Sequence, residues 1–221
     1  MRMLRGPPST GSRADVLLQH ALIHSGHCTA NDLAVLIAGS TTVAATRINA
    51  TMRRLGLTDT PMYGGYLVES ERRRSISVPL PAPIERELIP KLVNSQPSFG
   101  PRKYTTAADL TQLFRELYLG ANGRGPLIPE LGGEVTPAES RYLLYLLAHW
   151  AERGELAAEM SSRTVAHEPG WLSTARHDVG VVYTRRGPFV IAVMNADGVG
   201  APADRLAARL ARATLRHLAQ R

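Results

Sequence analysis

The chain has 221 residues and a net charge of +7, with 44% hydrophobic, 20% charged and 5% aromatic residues. This length supports one large domain or two small ones around a hydrophobic core, and the composition is typical of a soluble globular protein. The sequence has no apolar run long enough to span a membrane, and the single cysteine, Cys28, excludes an intrachain disulfide and a four-cysteine zinc site.

Residues 1–13 are basic and rich in proline, glycine and serine, and no apolar run follows them. We interpret this segment as a flexible leader and not as a secretory signal. The expected location is therefore cytoplasmic, or outside the cell if the true start lies upstream.

Apolar periodicity predicts that residues 14–160 form a mainly helical subdomain. Three helices are expected first: one from Asp15, one after Thr29, and one capped by Ser40 or Thr41. The side chains that the third helix should direct to the core are Val43, Ile48, Met52 and Leu55. Residues 58–80 lose the periodicity and predict a loop, followed by a short helix over 83–94.

Two later helices have clear start signals. Thr106 precedes Asp109 at capping-box spacing, and Thr136 is followed by a proline and then by Glu139.

The pattern changes in residues 161–221. Strands are predicted over 163–172, 179–184 and 189–194, the last two joined by a turn at Gly187, and a closing helix over 203–219. A helical subdomain, a small antiparallel sheet and a covering C-terminal helix make an α+β fold in one domain.

Two polar clusters have alternative interpretations. His20, His24 and His27 share a helical spacing beside Cys28 and form a weak candidate metal site, although we expect no cofactor.

The closing helix carries a stripe of arginines. The stripe comprises Arg205, Arg209, Arg212 and Arg216, with Leu206, Leu210, Ala213 and Leu218 expected on the buried side. We interpret the stripe as a solvated face of the helix. The alternative is a polyanion-binding module, which would be retained on heparin or DNA and released by added salt. We expect nucleic acid not to be a partner, because aromatic residues, on which bases stack, make up only 5% of the chain.

Three local strings carry a family resemblance. They are His24-Ser25-Gly26-His27-Cys28-Thr29-Ala30-Asn31, Val165-Ala166-His167-Glu168-Pro169-Gly170-Trp171, and the strand pair 177–194. The sequence resembles the class A β-lactamases and the wider superfamily of penicillin-recognising serine hydrolases. The resemblance implies their α+β fold, with a Ser-Asp-Asn motif at a helix end and a Lys-Thr-Gly motif on a strand.

The resemblance also implies a cleft, and it marks where this chain departs from the family. Ser25 keeps the serine of Ser-Asp-Asn, whereas His27 replaces the asparagine. Glu168 stands at the lysine of Lys-Thr-Gly, Gly170 keeps the glycine, and the Trp171 N–H is a candidate oxyanion donor. We expect Ser25 to lie within about 10 Å of Gly170. The family also has a glutamate in its active-site loop, and this sequence has no convincing match for it. Assigning Glu69 or Glu71 to that position would force the alignment.

No serine in the chain is followed by lysine three residues later, so the nucleophile motif of the family is missing. We therefore predict a catalytically inactive family member. One alternative is a serine hydrolase that is atypical or whose true start lies upstream, and Ser25 would then be a remnant catalytic residue. The other alternative is the polyanion-binding module.

The strand over 189–194 is apolar at every position, so both of its faces should be buried. An exposed edge on such a strand is a template for pairing, and we predict a homodimer, or another partner, at this edge. The ligand of the cleft is not identified by the sequence.

Overall fold

The computed structural model describes residues 12–62, 64–66, 105–149, 155–158, 160, 164–171, 175–195 and 201–219. In this part of the chain, the helices that precede the sheet are α1 (Arg13–Ile23), α2 (His27–Ala38), α3 (Thr41–Arg54), α4 (Ala107–Ala121), α5 (Leu127–Glu130) and α6 (Pro137–Leu147). A 3-10 turn (Glu155–Ala157) leads to β1 (Val165–Trp171), β2 (Arg176–Val182), β3 (Phe189–Asn195) and α7 (Ala201–Ala219). The predicted α+β fold is confirmed.

Side-chain caps start the helices where the sequence predicts them. Thr106 accepts from the Asp109 N–H at the start of α4. Thr136 and Glu139 form a complete capping box at α6. Each cap satisfies backbone N–H groups that a helix leaves unpaired. The first two helices start earlier than predicted, α1 at Arg13 with Ser12 as its cap and α2 at His27.

The three strands form an antiparallel meander in the order β1-β2-β3. Glu168 pairs with Val179 on β2, and Phe189 pairs with Val182. The hairpin between β2 and β3 turns where predicted, and Gly187 adopts a φ of 114°, which side chains disfavour. Within the described residues, β3 pairs with β2 alone and leaves its other edge uncovered by a strand.

Alternate side chains of the sheet serve two cores, as period-2 geometry requires. One face meets α4 and α6; its members include Ala166, Val179, Val181, Val190 and Ala192, with Phe114, Leu144 and Leu147 from the helices. The other face meets α7 and the 3-10 turn through Val165, Val182, Phe189, Ile191 and Val193. The apolar run of β3 therefore contacts a core on each side, but it is less buried than predicted, because Val193 is buried and the other side chains of β3 are half-buried.

Two helices are rotated relative to the prediction. On α3, Val43 and Ile48 are exposed and Ala44 and Ala45 are buried, whereas Leu55 and Met52 reach the core as predicted. On α7, the residues expected to be buried, Leu206, Leu210, Ala213 and Leu218, are exposed, and the buried residues are Ala207, Ala208 and Ala211. Small side chains let the α7 backbone approach the sheet closely, so the alanine face packs inward even though the leucines are more hydrophobic.

Several predicted features lie outside the described residues: most of the 1–13 leader, the greater part of the 58–80 loop, and the 83–94 helix. No single described helix is long and apolar enough to cross a membrane; only α2 and α3 taken together, bent by 81°, meet that criterion by length and composition.

Candidate functional site

The turn between α1 and α2 is tightly built. Ser25 has a φ of 48°, in the left-handed region, and the Gly26 N–H donates to the His20 carbonyl over 3.3 Å. A Cβ on Gly26 would lie 2.3 Å from Thr29 Oγ1, so only glycine fits there. Thr29 Oγ1 donates to the Gly26 carbonyl over 2.8 Å and lies 3.3 Å from His20 Nδ1. These contacts fix the direction in which Ser25 and His27 leave the turn.

The imidazole of His27 stacks on the ring of Tyr66, with centroids 4.4 Å apart and planes within 2°. His27 is the first residue of α2, and Tyr66 lies in the loop that follows α3. Because consecutive Cα atoms are about 3.8 Å apart, the Cα of Ser25 lies at most about 8 Å from the Cα of His27. The stack therefore places Ser25 beside this aromatic pair.

Asn31 holds the backbone of Tyr66 by both of its amide atoms. Its Oδ1 accepts from the Tyr66 N–H over 2.8 Å, and its Nδ2 donates to the Tyr66 carbonyl over 2.9 Å. A Cβ on Gly65 would lie 2.4 Å from Asn31 Oδ1, so this close approach requires glycine. Sequence reasoning missed Tyr66; the glycine pair before it, Gly64-Gly65, was the available signal.

A second asparagine holds the same loop. Asn49 Oδ1 accepts from the Met62 N–H over 2.7 Å, and Asn49 Nδ2 donates to the Met62 carbonyl over 2.6 Å. Asp109 Oδ2 accepts from the Asp59 N–H over 2.8 Å. The loop that carries Tyr66 is thus anchored to α2, α3 and α4.

Glu168 extends from β1 on the same face as Ala166, toward the helices. Burial, with a smaller contribution from the charge of Asp178, raises its pKa to about 8. Its Oε2 is buried and has no hydrogen-bond partner among the described residues. Burial, with a smaller contribution from the charge of Glu168, raises the pKa of Tyr66. His27 and Tyr66 are in contact, Glu168 acts on Tyr66 through its charge, and we call these three residues the cleft cluster.

Behind Glu168, the opposite face of the sheet holds a buried, hydrogen-bonded histidine–aspartate pair. His167 Nδ1 lies 3.0 Å from Asp178 Oδ2, which also accepts from the Leu156 N–H over 2.9 Å. A Cβ on Gly180 would lie 2.7 Å from His167 Cβ, so glycine makes room for the imidazole. Burial raises the pKa of Asp178, and the bonds from His167 oppose that rise. The pair therefore lies on the other face of the sheet from Glu168, although the charge of Asp178 still acts on Glu168.

The remaining predicted site residues are distributed as follows. Among the residues that the structure describes, a Cβ on Gly170 would meet nothing within 4 Å. Trp171 pairs with Arg176, and its side chain lies outside the described part of the chain. Glu69 and Glu71 also lie outside it.

The histidines do not assemble into the alternative metal site that their spacing suggested, whereas the arginine stripe is exposed as predicted. The rings of His20 and His24 lie 5.1 Å apart, and burial lowers the pKa of His20. His27 points to Tyr66, and the described residues contain no group of three or more side chains that could hold a metal ion. Each arginine of the α7 stripe is exposed.

The sequence matches the beta-lactamase enzyme family over residues 6–218. The chain belongs to this family. The membership confirms the predicted superfamily, and no curated protein matches the sequence.

Solved β-lactamase-family structures share the fold. PBP-A superposes with a TM-score of 0.62 at 14% identity, covering 94% of this chain and 62% of that chain. The β-lactamase from Sphaerobacter thermophilus DSM 20745 gives 0.58 at 17% identity, covering 90% and 60%. A mutant class A β-lactamase of the last common ancestor of Gram-negative bacteria gives 0.59 at 20% identity, covering 95% and 66%. This β-lactamase-family chain therefore spans less than two thirds of the length of PBP-A.

Proposed function

We propose that this chain is a β-lactamase-family protein that does not carry out acyl transfer and keeps its cleft for binding. The observation that carries the proposal is Glu168. At the position where the resemblance implies a lysine, β1 presents a partly buried carboxyl with a pKa of about 8. The carboxyl is neutral or negative, never positive, so it offers no attraction to a substrate carboxylate.

The chemistry of acyl transfer needs a nucleophile beside a base, with donors directed at the developing oxyanion. The chain has no serine followed three residues later by lysine. Removing the nucleophile of a serine hydrolase typically lowers turnover by about a million-fold. Among these 221 residues, the serine and the lysine of Ser-x-x-Lys are not found, and Glu168 stands at the lysine of Lys-Thr-Gly.

The competing proposal is an atypical hydrolase that uses Ser25. Its base would be a neighbouring imidazole, and two of the three are engaged elsewhere. The Nδ1 of His20 lies 3.3 Å from Thr29 Oγ1, and the ring of His27 stacks on Tyr66. His24 is exposed and follows the last turn of α1. This arrangement favours a binding role over a rebuilt dyad.

The proposal is tested by incubating the chain with a fluorescent penicillin and with a chromogenic cephalosporin. We expect no covalent adduct by intact-mass spectrometry and no hydrolysis above buffer, with a class A β-lactamase as the positive control. A stoichiometric adduct that the Ser25→Ala change removes would overturn the proposal and establish the atypical hydrolase. An adduct that persists in Ser25→Ala would overturn it as well and would place the nucleophile elsewhere.

A further inference from the structure

The covering helix α7 leaves part of its apolar surface in water. It packs on the sheet through alanines, whereas Leu206 and Leu210 are 37% and 43% exposed. These two leucines are four residues apart, so they lie one above the other along the helix surface. Leu218, near the end of α7, is 39% exposed. Single exposed leucines are ordinary, but several on a helix whose other face is already packed mark a surface for a second contact.

A row of arginines runs beside these leucines. Arg205 and Arg209 each precede one of the two leucines, Arg216 lies seven residues after Arg209, and all three side chains are exposed. Because successive residues of an α-helix are rotated by about 100°, the arginines stand on the flank of the leucine row. The helix therefore presents an alanine face to the sheet, and an apolar row and a basic row to solvent.

The turn between β2 and β3 adds basic residues to the same surface. Arg186 Nη1 donates to the Leu218 carbonyl over 3.2 Å, which joins the turn to the last turn of α7. Arg185 and Arg186 are both exposed. Asp178, the described acid on the α7 side of the sheet, is buried and bonded to His167, so it does not stand among these arginines. Two separate segments thus build one basic surface.

The pairing of an apolar row with a basic row restricts the class of partner. A nucleic acid offers phosphates to the arginines but no apolar layer that receives leucine side chains. A second copy docked through the same leucines would bring two arginine rows together, and like-charge repulsion opposes that contact. A bilayer with anionic lipids offers both chemistries, since its headgroups attract arginine and its acyl boundary accepts leucine. The net charge of +7 also favours approach to such a surface.

We propose that α7, together with the turn between β2 and β3, docks on the surface of a membrane that contains anionic lipids. Leu206 and Leu210 enter the boundary between headgroups and acyl chains, and the flanking arginines bind the lipid phosphates. The alanine face keeps α7 attached to the sheet, so docking does not require the helix to leave the fold. This inference goes beyond the proposed function and does not involve the cleft.

The test is cosedimentation of the full chain with two kinds of vesicle. One kind is phosphatidylcholine alone, and the other contains phosphatidylcholine and phosphatidylserine in a ratio of about 7 to 3. We expect binding to the mixed vesicles and at least about tenfold weaker binding to phosphatidylcholine alone. Added salt should weaken the binding, because it screens the attraction between the arginines and the anionic lipids.

A first pair of variants tests the leucines. The double change Leu206→Ser and Leu210→Ser should weaken binding to the mixed vesicles by at least about tenfold, because it removes the side chains that enter the acyl boundary. The matched control is Val43→Ser with Ile48→Ser, at two apolar side chains that are exposed on α3. This control should bind like the natural chain.

A second pair of variants tests the arginines. Changing three arginines of α7 to glutamine should weaken binding by about a hundredfold, since each arginine near an anionic surface contributes about fivefold. The control changes three exposed arginines elsewhere to glutamine, lowers the net charge equally and should have a much smaller effect. The α7 set is Arg205, Arg209 and Arg216, and the control set is Arg47, Arg53 and Arg124.

Several results would overturn the proposal. They are equal binding to both kinds of vesicle, and equal effects of the α7 variants and their controls. Retention on a DNA or heparin column without vesicle binding would overturn it in favour of the polyanion-binding module. Loss of a dimer in Leu206→Ser with Leu210→Ser, measured by light scattering, would assign the leucines to a contact between copies and would overturn it too. Circular dichroism checks the fold of each variant, and the leucine and arginine sets decide independently.

Discussion

Glu168 sets how the stability of this protein should vary with pH. Burial raises its pKa from 4.5 to about 8 in the folded chain. The folded state therefore holds the proton more tightly than the unfolded state, in which glutamate has a pKa of about 4.3. The contribution of protonated Glu168 to stability is therefore fully present below the pKa of this glutamate in the unfolded state. It is lost as the pH rises through the pKa of Glu168 in the folded state.

The size of this effect on stability follows from the shift in the pKa of Glu168. One pKa unit corresponds to about 1.4 kcal/mol, so ionising Glu168 in place lowers the free energy of unfolding by roughly 4–5 kcal/mol. Most of this loss falls between pH about 5 and about 8, at roughly 1.4 kcal/mol per pH unit. Glutamine keeps the shape of the side chain and cannot ionise, so Glu168→Gln should remove this part of the pH dependence.

The measurement is urea unfolding of the natural chain, Glu168→Gln and Glu134→Gln over a series of pH values. Asp178, whose pKa burial also raises, is present in all three proteins, and its repulsion of an ionised Glu168 is part of the effect that Glu168→Gln removes. We expect the free energy of unfolding of Glu168→Gln to rise steadily, relative to that of the natural chain, as the pH increases. The free energy of unfolding of Glu134→Gln should match that of the natural chain at every pH. Parallel curves for Glu168→Gln and the natural chain would show that Glu168 ionises normally and would refute the reasoning.

Two further predictions concern the loop and the sheet edge. Asn31→Asp removes the N–H donor to the Tyr66 carbonyl and should lower the free energy of unfolding by roughly 1–3 kcal/mol in urea unfolding. The matched Asn49→Asp change, at the Met62 carbonyl, should lower it by a similar amount, and unchanged stability of both variants would contradict the anchoring role of these two asparagines. Because β3 pairs with β2 alone among the described residues, light scattering at micromolar concentration should show twice the chain mass. A stable monomer with the 189–194 amides protected from hydrogen exchange would contradict the homodimer.

Local signals in the sequence were sufficient for much of the fold. Thr106 and Thr136 cap helices three residues before Asp109 and Glu139, and the turn at Gly187 lies between two apolar runs. These features depend on neighbours in the chain, so short windows of sequence predict them. The strings around Ser25 and Glu168 likewise carried the family resemblance without any tertiary information.

The cleft cluster, in contrast, depended on the tertiary structure. His27, Tyr66 and Glu168 are far apart in the sequence, and Asn31 binds Tyr66 from 35 residues away. Burial, which no local pattern reports, decides the raised pKa of Glu168.

The orientation of α7 was also a tertiary decision. A hydrophobicity pattern favours burying Leu206 and Leu210, yet the sheet accepts the helix through Ala207, Ala208 and Ala211. Close packing of backbone against the sheet requires small side chains, and it outweighs the greater hydrophobicity of the leucines. The sequence by itself thus determined the elements and the family, whereas packing determined which side chains meet and which remain in water.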